Sequence, residues 1–199
     1  MQKVVEYFFT PISGYAYLGH DEFHSIAERT NASIRYCPVD IMRVFEASET
    51  TPPAKQSEAR KTYRQEDMAR LAKHHSLPLN LSPKYWPAPG GLASRAIIAS
   101  GHLELDQSAV SGAIMKGVWA LDTNIADAID LQNLLDNEKL PGQTIIDSSA
   151  EKYVQEEFDK ITQDAISQCV FGSPTFIFDN ARYWGQDRLG LLENNLSGA

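Results

Sequence analysis

The sequence predicts an α/β fold in which the two ends of the chain build one core and the middle supplies helices. Three observations carry this. The first 40 residues read strand, helix, strand. The segment from residue 148 onward reads helix, strand, tight turn, strand, helix. Between residues 45 and 150 there is little β signal. A strand–helix–strand unit of this length fits a parallel pair joined by a crossover helix. A split sheet with a helical middle suggests a thioredoxin-like core with an inserted all-helical domain. The expected division is residues 1–45 plus 150–199 for the core and 46–149 for the insertion.

Residues 3–9 are apolar almost throughout, as a strand buried on both faces requires. Thr10-Pro11 breaks it. Tyr15, Leu18, Phe23 or His24, Ile26 and Ala27 then recur at helical spacing, and Asn31 closes that helix. Ser33-Ile34-Arg35-Tyr36-Cys37 alternates and is followed by Pro38, which reads as a second strand. Thr50-Thr51-Pro52-Pro53 is a loop. Residues 56–75 are helical, with Tyr63, Met68, Leu71 and Ala72 near one face. Residues 77–91 hold four prolines and two glycines and form a long irregular segment, a kind that is often functional. Residues 92–137 read as further helix, with small residues such as Ala93, Ala96, Ala99 and Ala113 that allow close packing.

Ser148 and Glu151 have capping-box spacing at the start of the next helix, whose apolar face is Tyr153, Val154, Ile161 and Ala165. Phe171 to Trp184 reads as two strands around an Asp179-Asn180 turn, because Asn tolerates left-handed geometry. Gln186 to about Leu196 closes the chain as a helix with Leu189, Leu192 and Leu196 inward.

Composition narrows the function classes. The chain has 199 residues, 43% hydrophobic and 22% charged, which suits a folded globular protein large enough to bury a core without disulfides. The net charge of −8 and the absence of a basic run argue against nucleic acid and anionic membranes as partners. No stretch approaches the ~18 apolar residues of a membrane span. Glu6 interrupts the N-terminal apolar run, which therefore reads as a strand and not as a signal peptide. Cys37 and Cys169 are far apart and in no CxxC or metal-ligand pattern, so a reducing, cytoplasmic setting is expected, with both cysteines as buried small hydrophobes.

Four segments could carry chemistry. Ser13 falls at a helix start, where unpaired N–H groups and the helix dipole favour either a capping hydroxyl or a bound anion. Ser173-Pro174 precedes a strand, and spacing alone favours a trans peptide there. Asp187, in Trp184-Gly185-Gln186-Asp187-Arg188, falls in the first turn of the final helix; it is helix-start chemistry or a carboxylate that holds a ligand amine. His20 and His24 have the i, i+4 spacing of a zinc pair, but no third ligand is evident and Asp21 stands where a zincin needs Glu, so packed or surface histidines are expected and no metal. A dithiol oxidoreductase needs a cysteine at the Ser13 position, and there is none.

Taken together, these segments resemble a known family. Phe9-Thr10-Pro11-Ile12-Ser13-Gly14-Tyr15-Ala16-Tyr17-Leu18-Gly19 resembles the opening motif of the 2-hydroxychromene-2-carboxylate isomerases. Val170-Phe171-Gly172-Ser173-Pro174-Thr175-Phe176 and Trp184-Gly185-Gln186-Asp187-Arg188-Leu189 resemble its two C-terminal motifs. Tyr63, Asp67, Arg70, Ala72, Leu77-Pro78, Tyr85 and Arg95 fit the middle. The resemblance covers nearly the whole chain and extends to the kappa-class glutathione transferases and DsbA-type oxidoreductases, which share the fold.

The resemblance implies a glutathione site. Ser13 would hold the sulfur as thiolate. Ser173, before a cis Pro174, would pair its backbone with the cysteinyl unit. Asp187, with the Trp184, Gly185 and Gln186 backbone, would hold the γ-glutamyl end. The energetics suffice without a cation. Lowering a thiol pKa by two units takes about 2.7 kcal/mol. A hydrogen bond to a charged group contributes ~1.5–3 kcal/mol and a helix N-terminus ~0.3–1.

The implied reaction is a cis–trans isomerisation of 2-hydroxychromene-2-carboxylate to trans-o-hydroxybenzylidenepyruvate, or of a related unsaturated aromatic acid, as in aromatic hydrocarbon catabolism. The thiolate adds, a bond rotates, and the thiolate leaves. Tyr85 would line the substrate pocket, as would Phe45, Lys55 and Gln56 by position. Here the chain departs from the family. Phe45 replaces a Lys that would meet the substrate carboxylate, Thr50 replaces an Asn, and Lys55-Gln56 replaces Asn-Arg. Arg43 or Lys55 could supply a replacement cation. Gly14 replaces a Pro and loosens the turn that aims Ser13. The alternatives are a kappa-like glutathione transferase and a non-catalytic thioredoxin-fold binding protein. Relatives are often homodimers, and the resemblance extends that expectation here.

Overall fold

A computed structural model of the chain describes residues 2–198. Four strands, β1 (Lys3–Phe9), β2 (Ala32–Pro38), β3 (Thr175–Phe178) and β4 (Ala181–Trp184), form one sheet in the order β2-β1-β3-β4. β1 and β2 are parallel, in register from Lys3 opposite Ala32 to Phe9 opposite Pro38, and α1 (Gly14–Arg29) is their crossover. β3 is antiparallel to both β1 and β4. The β3–β4 turn is the expected one: Asp179 at φ 50° and Asn180 at φ 62° supply the two left-handed residues of a type I′ hairpin.

Side chains alternate across a strand, so apolar residues of both parities in β1 require cover on both faces. Val5, Tyr7 and Phe9 enter one apolar cluster, where Tyr7 stacks on Phe9 at 4.2 Å and on Phe176 at 5.2 Å. Phe8 enters the other with Cys37 and Ile177.

Among the described residues the middle of the chain holds helices and no strand, with the expected irregular segment between His75 and Gly91. It runs through α2 (Ile41–Ala47), a 3-10 turn at Pro53–Lys55, α3 (Glu58–His75), α4 (Gly91–His102), α5 (Gln107–Ala120), α6 (Ala128–Asn137) and α7 (Gly142–Ser149) to α8 (Lys152–Ser167). Asp40, Asp106 and Asp127 cap α2, α5 and α6, each accepting two backbone N–H groups. Ile97, Ile114, Trp119 and Leu131 share one apolar cluster with Tyr7 and Phe23 of the sheet and α1, while Val44 of α2 and Val154, Phe158 and Ile161 of α8 cover the opposite face. No helix among the described residues is long and apolar enough to cross a membrane.

Several sequence expectations are corrected. Ser148 does not start a helix. It lies in the last turn of α7, which forms because Ile145 and Ser149 are buried one turn apart, and α8 begins after Glu151 with no side-chain cap. Tyr63 and Tyr153 leave the predicted apolar faces. Tyr63 is 60% exposed beneath the Arg70 guanidinium, and Tyr153 stands edge-on to His102. Cys37 is buried, but Cys169 is exposed, because the chain leaves α8 through a left-handed residue there and Val170 turns inward instead. Gln186–Arg188 is a separate 3-10 turn ahead of α9 (Leu189–Ser197), so Asp187 precedes the final helix; Leu189, Leu192 and Leu196 are buried. His20 and His24 are packed. His20 Nε2 donates to Ser108 O at 3.1 Å, and His24 donates from Nδ1 to His20 O and accepts from Tyr36 at Nε2.

Candidate active site

The site assembles where β1 ends. After Phe9 the chain turns through Thr10-Pro11-Ile12, and Ser13 takes the extended conformation of an N-cap, φ −83° and ψ 117°. Its Oγ accepts from Ala16 N at 3.2 Å and donates to the Ser173 carbonyl at 3.0 Å. In return, Thr10 N donates to Ser173 Oγ at 3.0 Å. Two loops 160 residues apart in sequence are thus stitched by two hydrogen bonds, one from the Ser13 hydroxyl and one to the Ser173 hydroxyl. The first turn of α1 carries no acidic residue, so its N-terminal partial charge faces this junction uncancelled.

Ser173-Pro174 is cis, which corrects the reading from spacing and agrees with the resemblance. The Pro174 carbonyl accepts from Gly185 N at 2.9 Å, bringing the Trp184-Gly185-Gln186-Asp187 turn beside it. Two glycines make that approach possible. Gly185 has φ +94°, a region side chains avoid. At Gly19 an added Cβ would sit 2.6 Å from Gln186 Cβ, so α1 presses directly on the turn. Trp184 is 53% exposed, packs on Phe171 at 4.9 Å and holds its indole over Gly172. The Asp187 carboxylate is exposed and pairs with Arg188 at 2.6 Å.

Ser13, Ser173, Pro174, Trp184, Gly185, Gln186 and Asp187 are therefore neighbours. The expected substrate residues are looser. Phe45 is half-buried and packs with Ile12 on the second apolar cluster. Lys55 is exposed, and Gln56 Nε2 reaches only Thr51 O at 3.4 Å. Tyr85 lies under Lys84, whose Nζ is 4.8 Å from its ring. No hydrogen bond joins these four side chains to Ser13 or Ser173 among the described residues. Arg43 is not a free cation: it pairs with Asp159 of α8 at 2.6 Å.

Sequence reasoning missed the wall beside Ser13. Trp86 Nε1 donates to Ile12 O at 3.0 Å. On the other side, a Cβ on Gly14 would collide with Met68 Cε and lie 3.1 Å from Trp119 Cζ2. Gly14 therefore does not loosen the turn; it makes room for Met68 and Trp119, which pack against the backbone and hold it. The chain has three tryptophans, and all three lie at this junction, a signal available in the composition. Other matched residues fasten α1 to the helical segment: Tyr15 donates to Asp67 at 3.1 Å and Tyr17 to Pro78 O at 2.7 Å. Burial, with Asp67 second, pushes the Tyr15 hydroxyl up to about 12, which keeps it a donor.

The arrangement offers a hydroxyl at a helix N-terminus, a carbonyl beside a cis proline that accepts from that hydroxyl, and an aromatic wall. The chain is similar over nearly its full length to known proteins. A 2-hydroxychromene-2-carboxylate isomerase of Pseudomonas sp. (strain C18) is 28% identical, covering 98% of this chain and 91% of its own. One from Sphingobium xenophagum is 25% identical, covering 98% and 99%. A solved 2-hydroxychromene-2-carboxylate isomerase superposes with a TM-score of 0.82 at 21% identity, over 98% of this chain and 95% of its own. The family described as the DSBA-like thioredoxin domain matches residues 4–197, and the chain belongs to that family.

Proposed function

We propose that the protein is a glutathione-dependent isomerase that interconverts 2-hydroxychromene-2-carboxylate and trans-o-hydroxybenzylidenepyruvate, or acts on a related unsaturated aromatic acid. The observation that carries this reading is the Ser13 hydroxyl, held at the N-cap of α1 and spent on the Ser173 carbonyl. A thiolate at the helix N-terminus is a better acceptor than a carbonyl, so the hydroxyl would turn to it. That frees the Ser173 carbonyl, which is the acceptor that a cysteinyl backbone N–H needs. The Gly185 turn and the Asp187 carboxylate fit an ammonium-bearing γ-glutamyl end, with Asp187 exchanging its Arg188 partner. Neither cysteine lies on the Ser13 loop, which leaves thiol chemistry to a bound thiol. Bound glutathione would supply a nucleophile that adds reversibly to a conjugated chain and so permits rotation about one of its bonds. The isomerase relatives support the choice of reaction.

The test is an ultraviolet difference titration with glutathione near neutral pH, on wild type and Ser13→Ala. A saturating thiolate band in wild type that weakens in the variant supports the site. Absorbance loss of a chromene carboxylate only with glutathione present supports the isomerisation. No band at millimolar glutathione refutes both.

A further inference from the structure

The geometry points to Arg64 as a carboxylate-binding residue that anchors an unsaturated aromatic acid against Trp86 beside the Ser13 loop. Arg64 lies on α3, half-buried, with its guanidinium carbon 4.9 Å from the Trp86 ring centre, 5.6 Å from Trp119 and 5.9 Å from Tyr15. Each ring is tied to the Ser13 loop: Trp86 through Ile12 O, Trp119 through its contact at Gly14, and Tyr15 by sequence. Trp119 is buried in the core behind them, so the aromatic surface that the cation shares with the Ser13 loop is that of the part-exposed Trp86 and Tyr15.

What the cluster lacks, among the described residues, is an acceptor for the guanidinium. Tyr15 spends its proton on Asp67, and Trp86 spends its N–H on Ile12 O. Trp119 Nε1 is buried with no partner among the described residues. Arg64 makes no ion pair with a carboxylate and no side-chain hydrogen bond among the described residues, whereas Lys61 and Arg70 on the same helix pair with Glu58 and Asp67. The aromatic faces offset part of the cost of enclosing a guanidinium but accept none of its five N–H groups in plane. Burial accordingly disfavours its charged form, opposed in part by Tyr15 and by no carboxylate among the described residues. A planar ligand with a terminal carboxylate meets both needs: its two oxygens match the guanidinium fork, and its conjugated body lies on indole. The two cations that the sequence offered are committed or outside, Arg43 to Asp159 and Lys55 in solvent.

The inference rests on the proposed function in taking the ligand to be an unsaturated aromatic acid, but its test is independent of glutathione. Binding of trans-cinnamate and of its neutral isostere cinnamamide is followed by quenching of tryptophan fluorescence in wild type, Arg64→Met and Arg64→Lys. In wild type cinnamate should bind more tightly than cinnamamide. Arg64→Met should weaken cinnamate by about 10- to 100-fold and leave cinnamamide within about twofold; Arg64→Lys should fall between. Equal weakening of both ligands, or no preference for cinnamate in wild type, overturns the assignment, since a purely structural Arg64 would affect both alike. The thiolate titration runs in parallel on the same proteins. If it fails while cinnamate discrimination holds, the glutathione reading falls and Arg64 stands; the reverse result removes Arg64 alone.

Discussion

Ser13→Ala tests how the junction is built, apart from any ligand. The hydroxyl makes two hydrogen bonds, one from Ala16 N at 3.2 Å and one to Ser173 O at 3.0 Å. Removing an N-cap serine costs about 0.5–2 kcal/mol. Losing the second, part-buried bond costs about 0.5–1.5 kcal/mol more. The sum, about 1–3.5 kcal/mol, corresponds to a fall in Tm of about 2–14 °C for a domain of this size. Urea unfolding followed by tryptophan fluorescence would measure it. Ser13→Gly separates the two contributions, because glycine caps nearly as well as serine; it should lose mainly the Ser173 bond. In a double-mutant cycle with Ser173→Ala, the Ser13 bond should persist, since it is made to the Ser173 backbone and not to its side chain. A Ser13→Ala protein within about 0.5 kcal/mol of wild type would refute the view that this hydroxyl joins the two loops.

Gly19→Ala should destabilise by about 1–3 kcal/mol and weaken glutathione binding, because its Cβ meets the Gln186 Cβ at 2.6 Å. Gly190→Ala in α9, where an added Cβ meets nothing within 4 Å, should stabilise by about 0.4–1 kcal/mol; paired urea melts compare them. Burial, reinforced by His24, holds the His20 imidazole down at about 3 in the folded chain, below its ordinary 6.5. The unfolded chain then binds the extra proton, so this contribution is complete above pH 6.5 and fades as pH falls toward 3, at up to about 1.4 kcal/mol per pH unit. A His20→Gln protein should show a flatter acid limb in melts between pH 7.5 and 5. Cys169, exposed, should react with iodoacetamide far faster than Cys37, which is buried and pushed up to about 12 by that burial; mass spectrometry of timed samples would show single labelling, at Cys169.

By itself the sequence determined the local elements. β1 is legible because it is apolar at both parities. The type I′ turn is legible because Asp179-Asn180 can adopt left-handed geometry, and α9 because Leu189, Leu192 and Leu196 recur at helical spacing. The Ser13 cap was legible for the same reason, since steric limits on a turn act within a few residues. The capping-box spacing at Ser148 misled because burial of Ile145 and Ser149 builds a helix over it, and packing outweighs a terminal signal worth about 1 kcal/mol. The site required the fold. Ser13 and Ser173 meet across 160 residues of chain, and Gly14 reads as a loosening substitution until Met68 and Trp119 arrive from two other helices to fill its space. Arg43 and Arg64 are alike in sequence, yet one finds Asp159 and the other finds only aromatic faces. Which charge has a partner depends on distances set by chain closure, and no short-range pattern encodes those.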